Sequence, residues 1–407
     1  MVELEIDGVK VEVAEGSMLI TAAEKAGSYV PHFCYHKKLS IAANCRMCLV
    51  DVEKAPKPLP ACATPVSPGM IVRTKSEKAI SAQKSVMEFL LINHPLDCPI
   101  CDQGGECQLQ DLSVGYGGVS SRYQEEKRVV FFKEIGPLVS AKEMSRCIHC
   151  TRCVRFGQEV AGIMELGMAN RGEHSEILSF VGDSVDSELS GNMIDICPVG
   201  ALTSKPFRYQ ARTWEMARRK SIAPHDSLGS NVVVQVKADK VMRIVPQENE
   251  SVNECWISDR DRFSYEGLQA ADRLTEPMIK KNGQWVTTDW QTALNVAFEG
   301  LKKARRESSD LNSIGMLISS NSTFEEMALA KALMTGLGSS SIDAGLRHSA
   351  NLNLAGSTPW LGASIEQLAD AESIVVVGTD PRNDQPLLTQ RIRQAAKQGA
   401  RVVLVNA

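Results

Sequence analysis

The chain has 407 residues, 43% hydrophobic and 23% charged, the make-up of an ordinary globular protein with room for two to four domains. That composition excludes a wholly disordered or collagen-like chain. The net charge of −4, from 45 basic and 49 acidic residues, gives no strong field to draw in nucleic acid or an anionic membrane. No apolar run approaches the roughly 18 residues a membrane-spanning helix needs. Glu3, Glu5 and Asp7 argue against a secretory signal or an Arg-rich presequence.

The first elements are a hairpin and a helix. Val2, Leu4 and Ile6 alternate, Asp7-Gly8 supplies a turn, and Val9, Val11 and Val13 alternate again. Ser17 has the chemistry of an N-cap, residues 18–26 of a helix, and Gly27 of its stop. These elements imply a small α+β unit ending near residue 76. Ser76 then caps a second expected helix, with Ile80, Val86, Met87, Leu90 and Leu91 on one face, which must end before Pro95. Residues 115–123, rich in Gly and Ser, read as a connector. Residues 202–220 carry Lys205, Arg208, Arg212, Arg218, Arg219 and Lys220 against Glu215 and read as a solvated connector. Beyond residue 270, buried strands are expected at Ser313–Ser319 and Ser373–Gly378 and a last apolar strand at Arg401–Val405, with helices at 323–336 and 386–398. Strands alternating with helices imply a doubly wound α/β domain. An open sheet normally continues with a covering helix, so the C-terminal strand reads as a domain cut short.

Twelve cysteines are present, and 11 of them fall between Cys34 and Cys197. A disulfide scaffold is normally a short secreted chain, so metal binding is the better reading. The first set is Cys34, Cys45, Cys48 and Cys62. A C-x2-C pair with one cysteine far upstream and another far downstream suits a [2Fe–2S] loop better than zinc. The second set is His94, Cys98, Cys101 and Cys107. Three thiolates need a fourth ligand, and His94 lies just upstream. Its alternatives are a helix-end cap and a Cys3His zinc site. The third set is Cys147, Cys150, Cys153 and Cys197, followed by Pro198, the bacterial-ferredoxin pattern for [4Fe–4S]. Gly157 stands where such motifs often place another cysteine, so this unit holds one cluster.

Arg46, Arg146, Arg152 and Arg155 flank these ligands and either offset cluster charge or are plain surface charge. Cys255 reads as an inert buried thiol. Neither G-x-G-x-x-G nor a P-loop motif occurs, so no nicotinamide, flavin or other cofactor-binding loop of the chain's own is expected.

The stretches Pro31–His36, Asn93–Pro99, Arg146–Arg155, Glu188–Asn192 through Cys197-Pro198, Trp256–Asp259 with Arg262-Phe263, and Arg273–Met278 resemble the large iron–sulfur subunit of respiratory complex I, bacterial or mitochondrial (the 75 kDa subunit). The resemblance implies α+β ferredoxin-like iron–sulfur modules followed by an α/β molybdopterin-oxidoreductase-like domain. It places a β-grasp [2Fe–2S] domain at 1–77, a His/Cys3 [4Fe–4S] domain at 78–117 and a ferredoxin-like [4Fe–4S] domain at 118–214. A Mo/W-bisMGD-type domain without its cluster follows at 215–271, and an incomplete molybdopterin-type domain at 272–407. Some bacterial relatives carry a fourth cluster, whose ligands would fall on Ala223, Asp226, Ser230 and near Ser258; none of these is Cys. Gly378-Thr379-Asp380-Pro381 sits where pterin-binding relatives have a Gly-x-Asn-Pro turn, and no molybdenum cofactor is expected.

The implied function is an electron relay within the proton-translocating NADH:quinone oxidoreductase. One [2Fe–2S] and two [4Fe–4S] clusters would pass electrons from FMN on a partner subunit toward quinone. The chain would have no hydride or quinone site and no catalytic residue of its own. Implied partners are the NADH/FMN flavoprotein, a small [2Fe–2S] subunit and the quinone-module subunits, with no nucleic acid. The implied location is peripheral, on the cytoplasmic face of the bacterial inner membrane or the matrix side in mitochondria. The alternatives are the diaphorase iron–sulfur subunit of an NAD-linked hydrogenase or formate dehydrogenase, and a zinc-stabilised scaffold with no redox role.

Overall fold

The computed structural model describes residues 1–180, 184–308, 310, 313–345 and 360–406. They divide into two compact units, one of residues 1–223, 228–263 and 365–407, the other of residues 224–227 and 264–364.

The first unit opens with strand β1 (Val2–Ile6) and strand β2 (Val9–Val13), paired antiparallel from Val2↔Val13 to Ile6↔Val9. Asp7 and Gly8 take positive φ at the turn between them, the geometry a two-residue hairpin loop requires. Helix α1 (Leu19–Lys25) follows. Its N-cap is Met18, with no side-chain cap bond, so the sequence reading of Ser17 as cap is corrected. The Ser17 carbonyl instead accepts a hydrogen bond from the Val66 amide, fixing the start of α1 from a distant part of the chain. Strands β3 (Leu49–Val52), β4 (Leu59–Pro60) and β5 (Ile71–Arg73) complete a five-stranded sheet in the order β2-β1-β5-β3-β4. β5 runs parallel to β1, and α1 packs its Leu19, Ile20, Ala22 and Ala23 into the core beneath. Three of the four first-set cysteines lie in the loops that this sheet frames at 34–48; Cys62 follows β4.

Helix α2 (Glu77–Leu91) begins at Ser76, whose hydroxyl accepts from the Ala79 amide at 3.2 Å. Its buried line is Ala79, Gln83 and Met87, and Ile80 is 41% exposed, against the expected apolar face. The line is displaced because Gln83 turns inward and donates to the Leu49 carbonyl at 3.0 Å. Helix α3 (Gln108–Tyr116) starts directly after Cys107 and takes up part of the expected connector.

Next come strand β6 (Val139–Ser140), helix α4 (Arg152–Phe156), the hairpin β7 (Leu166–Ala169) and β8 (Glu176–Ser179), helix α5 (Asn192–Ile196), and strand β9 (Thr203–Ser204), which pairs with β6. A three-stranded antiparallel sheet follows: β10 (Ala217–Ile222), β11 (Asn231–Lys237) and β12 (Lys240–Pro246). The basic stretch is therefore partly a strand rather than a connector; Arg218, Arg219 and Lys220 are exposed on β10. Helix α6 (Asp259–Phe263) locks the polypeptide around residues 188–197. The Asp259 carboxylate accepts from Ser190 Oγ at 2.5 Å and the Gly191 amide at 2.6 Å, while the Asn192 side chain bonds both backbone groups of Ile257.

In the second unit, β13 (Met278–Lys281) and β14 (Gln284–Thr287) form a hairpin. Helix α7 (Trp290–Glu307) follows, capped by Asp289, whose carboxylate accepts from the Thr292 amide at 2.8 Å. The sequence reading has no helix there, although Asp289 and the apolar spacing after it were available to show one. Strand β15 (Met316–Leu317) pairs in parallel with β16 (Ile342–Asp343), and helix α8 (Phe324–Gly336) lies between them in sequence. The first unit takes up the chain again with β17 (Ser373–Val377), α9 (Pro381–Asp384), α10 (Pro386–Lys397) and β18 (Arg401–Val405), parallel to β17.

The expected strands are present, but they are not buried. Val375 and Val377 in β17 are 62% and 67% exposed, and Leu404 in β18 is 65% exposed. Each pair is a two-stranded sheet among the described residues, too narrow to cover both its faces. No helix among the described residues is long and apolar enough to cross a membrane.

Candidate metal centres

The first set converges. The Cys34 thiol hydrogen-bonds with those of Cys45 and Cys62, and Cys62 in turn with Cys48. All four residues are buried. Ala43 and Arg46, on either side of Cys45, adopt left-handed backbone, which lets the loop fold back round the sulfurs. The Cys34 amide points at Cys45 Sγ at 3.4 Å. These contacts hold the Cys34 thiol below its ordinary pKa and push Cys62 up.

The second set lines one cavity of about 70 Å³ that holds His94, Cys98, Cys101 and Cys107 together with Arg146 and Gly200. His94 Nδ1 is buried and has no hydrogen-bond partner, while the ring bonds the Arg146 backbone. Burial, followed by the charge of Arg146, pulls the imidazole pKa down to about 4. A neutral ring with one idle nitrogen, lining the same cavity as three cysteines, has the donor chemistry of a soft metal centre. Gly200 closes the cavity, and a Cβ there would overlap Cys101 Sγ. Cys98 is exposed, so this site is the most open of the three.

The third set surrounds α4. Cys150, Cys153 and Cys197 are buried and Cys147 is half-buried. Burial pushes the Cys150 thiol up to about 11 and raises its companions likewise. A bound cation would supply the thiolate character that burial opposes here. His149 and Thr151, the residues beside Cys150, are in left-handed conformation, and the His149 amide points at Cys147 Sγ at 3.4 Å. Backbone groups of Val199, Ala201 and Leu202 bond Cys197.

The sets are linked through their own ligand residues and immediate neighbours. Asn44 Nδ2 donates to the His149 carbonyl at 2.9 Å, and Gln108 Nε2 to the His32 carbonyl at 2.8 Å. Cys107 Sγ lies 3.9 Å from the Pro198 carbonyl oxygen. Among the described residues no three His, Cys, Asp or Glu side chains close tightly round a single ion. A cluster of several irons holds its thiolates further apart than one zinc does.

Of the four flanking arginines, three are buried: Arg146 at 2%, Arg152 at 7% and Arg155 at 7% exposure; Arg46 is exposed. Arg146 pairs with Asp97 at 3.0 Å. Sequence reasoning missed Arg212, which sits in the basic stretch but grips the second set's loop. Its guanidinium donates to the Cys101 and Pro99 carbonyls, both at 2.5 Å. Nothing in its local sequence separates it from its exposed neighbours. Cys255 is half-buried against the main core, its thiol pushed up to about 12 by burial.

Five family profiles match in succession. They are described as a 2Fe-2S iron-sulfur cluster binding domain (1–77), an NADH-ubiquinone oxidoreductase-G iron-sulfur binding region (83–122), and an NADH-quinone oxidoreductase subunit 3 ferredoxin-like domain (136–203). The remaining two are an NDSU1/NuoG-like 4Fe-4S domain (216–266) and a molybdopterin oxidoreductase (273–407). Fold and sites thus define an iron–sulfur protein with 2Fe-2S and 4Fe-4S binding domains ahead of a molybdopterin-oxidoreductase domain. The corresponding NADH-quinone oxidoreductase subunit of Rickettsia conorii is 46% identical over 96% of this chain and 57% of its own length. The NADH-ubiquinone oxidoreductase 75 kDa subunit of Reclinomonas americana is 44% identical over 98% and 59%, and the 78 kDa mitochondrial subunit of Neurospora crassa 46% over 97% and 53%. The chain belongs to this family, that of the large iron–sulfur subunit of NADH:quinone oxidoreductase, and spans just over half the length of these relatives. A solved NAD+-reducing [NiFe]-hydrogenase structure is 27% identical, covering 52% of this chain and 90% of its own, at a TM-score of 0.47.

Proposed function

We propose that this chain is an electron-relay subunit of NADH:quinone oxidoreductase. In this reading Cys34, Cys45, Cys48 and Cys62 hold a [2Fe–2S] cluster, and His94, Cys98, Cys101 and Cys107 a [4Fe–4S] cluster. Cys147, Cys150, Cys153 and Cys197 hold a second [4Fe–4S] cluster. Such clusters take up and release single electrons without bond making. The protein's task is to fix their spacing, exclude water and set their charge environment.

The observation that carries the reading is the hydrogen bonding between the three cysteine sets, made by Cys107 and by residues one or two positions from the sets' cysteines. A scaffold stabilised by separate zinc ions has no need of such links. Domain limits at 1–77, 78–117, 118–214, 215–271 and 272–407 accompany the proposal. So do a partner flavoprotein with NADH and FMN, a small [2Fe–2S] subunit, quinone-module subunits and a peripheral place on the cytoplasmic or matrix face. In the same reading the assembled enzyme translocates protons, and no hydride, quinone or molybdenum site is assigned to this chain. At 215–271 the positions of a further cluster would fall on Ala223, Asp226, Ser230 and near Ser258; Ala223, Ser230 and Ser258 are buried and Asp226 is half-buried.

The test is iron and acid-labile sulfide analysis of anaerobically purified chain, with EPR after dithionite reduction. About ten irons (2 + 4 + 4) and three cluster signals are expected. A colourless, EPR-silent protein containing zinc overturns the relay. NADH oxidation by the chain without added flavoprotein overturns the partner assignment.

A further inference from the structure

Two buried arginines stand between the first and third cysteine sets. Both come from α4, three residues apart and so on one helical face. Arg155 Nη2 donates to the Cys34 carbonyl at 2.5 Å and the Cys150 carbonyl at 3.1 Å, joining a residue of each set through one nitrogen. Its Nη1 donates to the Ser40 carbonyl at 2.5 Å, and its Nε to Thr151 Oγ1 at 3.3 Å. Arg152 repeats the span one residue out. Its Nη2 donates to the Tyr35 carbonyl at 2.6 Å, and its Nη1 to the Ile196 carbonyl at 3.3 Å and to Gln108 Oε1 at 3.4 Å. Tyr35 follows Cys34, and Ile196 precedes Cys197.

Every acceptor of both guanidinium groups is neutral. Among the described residues no carboxylate forms an ion pair with Arg152 or Arg155, in contrast to Arg146 with Asp97 or Arg262 with Asp195. A buried cation without a counter-ion is costly, because its hydration is lost without Coulombic return. Two of them side by side would also repel each other. The arrangement is stable only where negative charge lies on both sides, and the thiolate-ligated clusters of the proposed function supply it at each end of the bridge.

We propose that Arg152 and Arg155 form a cationic bridge that couples the first and third cysteine sites, fixing their spacing and raising the reduction potentials of both clusters together. The inference rests on the proposed iron–sulfur function. Reduction adds one negative charge to a cluster, so a fixed positive charge favours the reduced state at either site.

The test is EPR-monitored redox titration of the full chain, purified anaerobically with its clusters, as wild type, Arg155→Gln, Arg155→Lys and Arg152→Gln. Removing the Arg155 charge lowers the midpoints of the [2Fe–2S] cluster and the all-cysteine [4Fe–4S] cluster in parallel and leaves the His94-site cluster where it was. Arg155→Lys keeps the charge and retains most of both midpoints. Arg152→Gln shifts the same two signals, and it carries the test if Arg155→Gln does not retain its clusters. Unmoved midpoints in the glutamine variants overturn the proposal, as does an equal shift of all three clusters. A shift in Arg155→Lys as large as in Arg155→Gln overturns the electrostatic part. Absence of cluster signals in the wild type would instead sink the relay function itself.

Discussion

Residues 1–203 contrast with residues 216–223 and 228–263 of the same compact unit. The first region has strands of at most five residues and left-handed backbone at Ala43, Arg46, His149 and Thr151 within its cysteine sets. Its loops end on sulfur. The second, although its family profile is described as a 4Fe-4S domain, is built on strands of six and seven residues. The positions where the resemblance would place a further cluster's ligands do ordinary structural work at Ala223, Ser230 and Ser258. Ala223 packs with Val232 and Ile257, its amide bonds the Ser230 carbonyl at 2.8 Å, and Ser258 Oγ accepts from the Asp261 amide at 3.1 Å at the start of α6. On the proposed function, a loop of this kind is held by metal in one region and by side-chain packing in the other.

Stripping iron should break that contrast most severely. Anaerobic chelation is expected to loosen residues 34–62, 94–107 and 147–197 while the β10–β12 sheet stays folded, because cluster binding energy is folding energy only where ligands converge. Limited proteolysis followed by mass spectrometry checks this. Uniform resistance across both regions would refute it.

Gly200→Ala acts on one site. The added Cβ would displace Cys101 Sγ, so the His94-site cluster should be lost while the other two signals persist. Retention of all three signals would mean that the cavity yields more readily than its packing implies.

His94→Cys sharpens the same point with a smaller change. A thiolate in place of neutral imidazole adds negative charge, so the cluster should remain but with a lower midpoint in EPR titration. His94→Ala should leave it labile or absent. Unaltered midpoints in both variants would return His94 to a helix-end role.

Ile257→Ala probes the other side of the comparison. Ile257 is fully buried, and a Leu- or Ile-to-Ala change in a core costs about 2–5 kcal/mol. Denaturant unfolding should register that loss without any change in cluster EPR. Asp7→Asn should have the smallest effect. Despite the opposing effect of burial, the bonds from Thr74 and Ser28 hold the Asp7 carboxyl below its usual range, the Thr74 amide at 2.7 Å. Faster amide exchange at Thr74, with cluster signals intact, is the expected reading.

The legible parts of the sequence were those with short-range causes. The Asp7-Gly8 hairpin, the Ser76 cap and helices α8 and α10 follow from turn chemistry and periodicity, which act over a few residues. The C-x2-C pairs that suggested the cysteine sets are local patterns, whereas Cys197, 44 residues after Cys153, is brought beside its set only by the fold. Ser17, Ile80 and the exposure of β17 and β18 were misread, since burial and capping there depend on partners distant in the chain.

By itself the sequence determined which side chains can ligate metal and which segments form helix or strand, since both depend on residue type and near-neighbour spacing. Only the tertiary structure decided that Arg152 and Arg155 are buried between two cysteine sets while Arg46, beside another ligand, faces solvent. It also decided that Arg212 grips a loop more than 100 residues away, with a separation of 111 to Cys101. An arginine's charge is fixed by its chemistry, but its partner is fixed by whatever the fold brings within about 3 Å, and no local pattern encodes that distance.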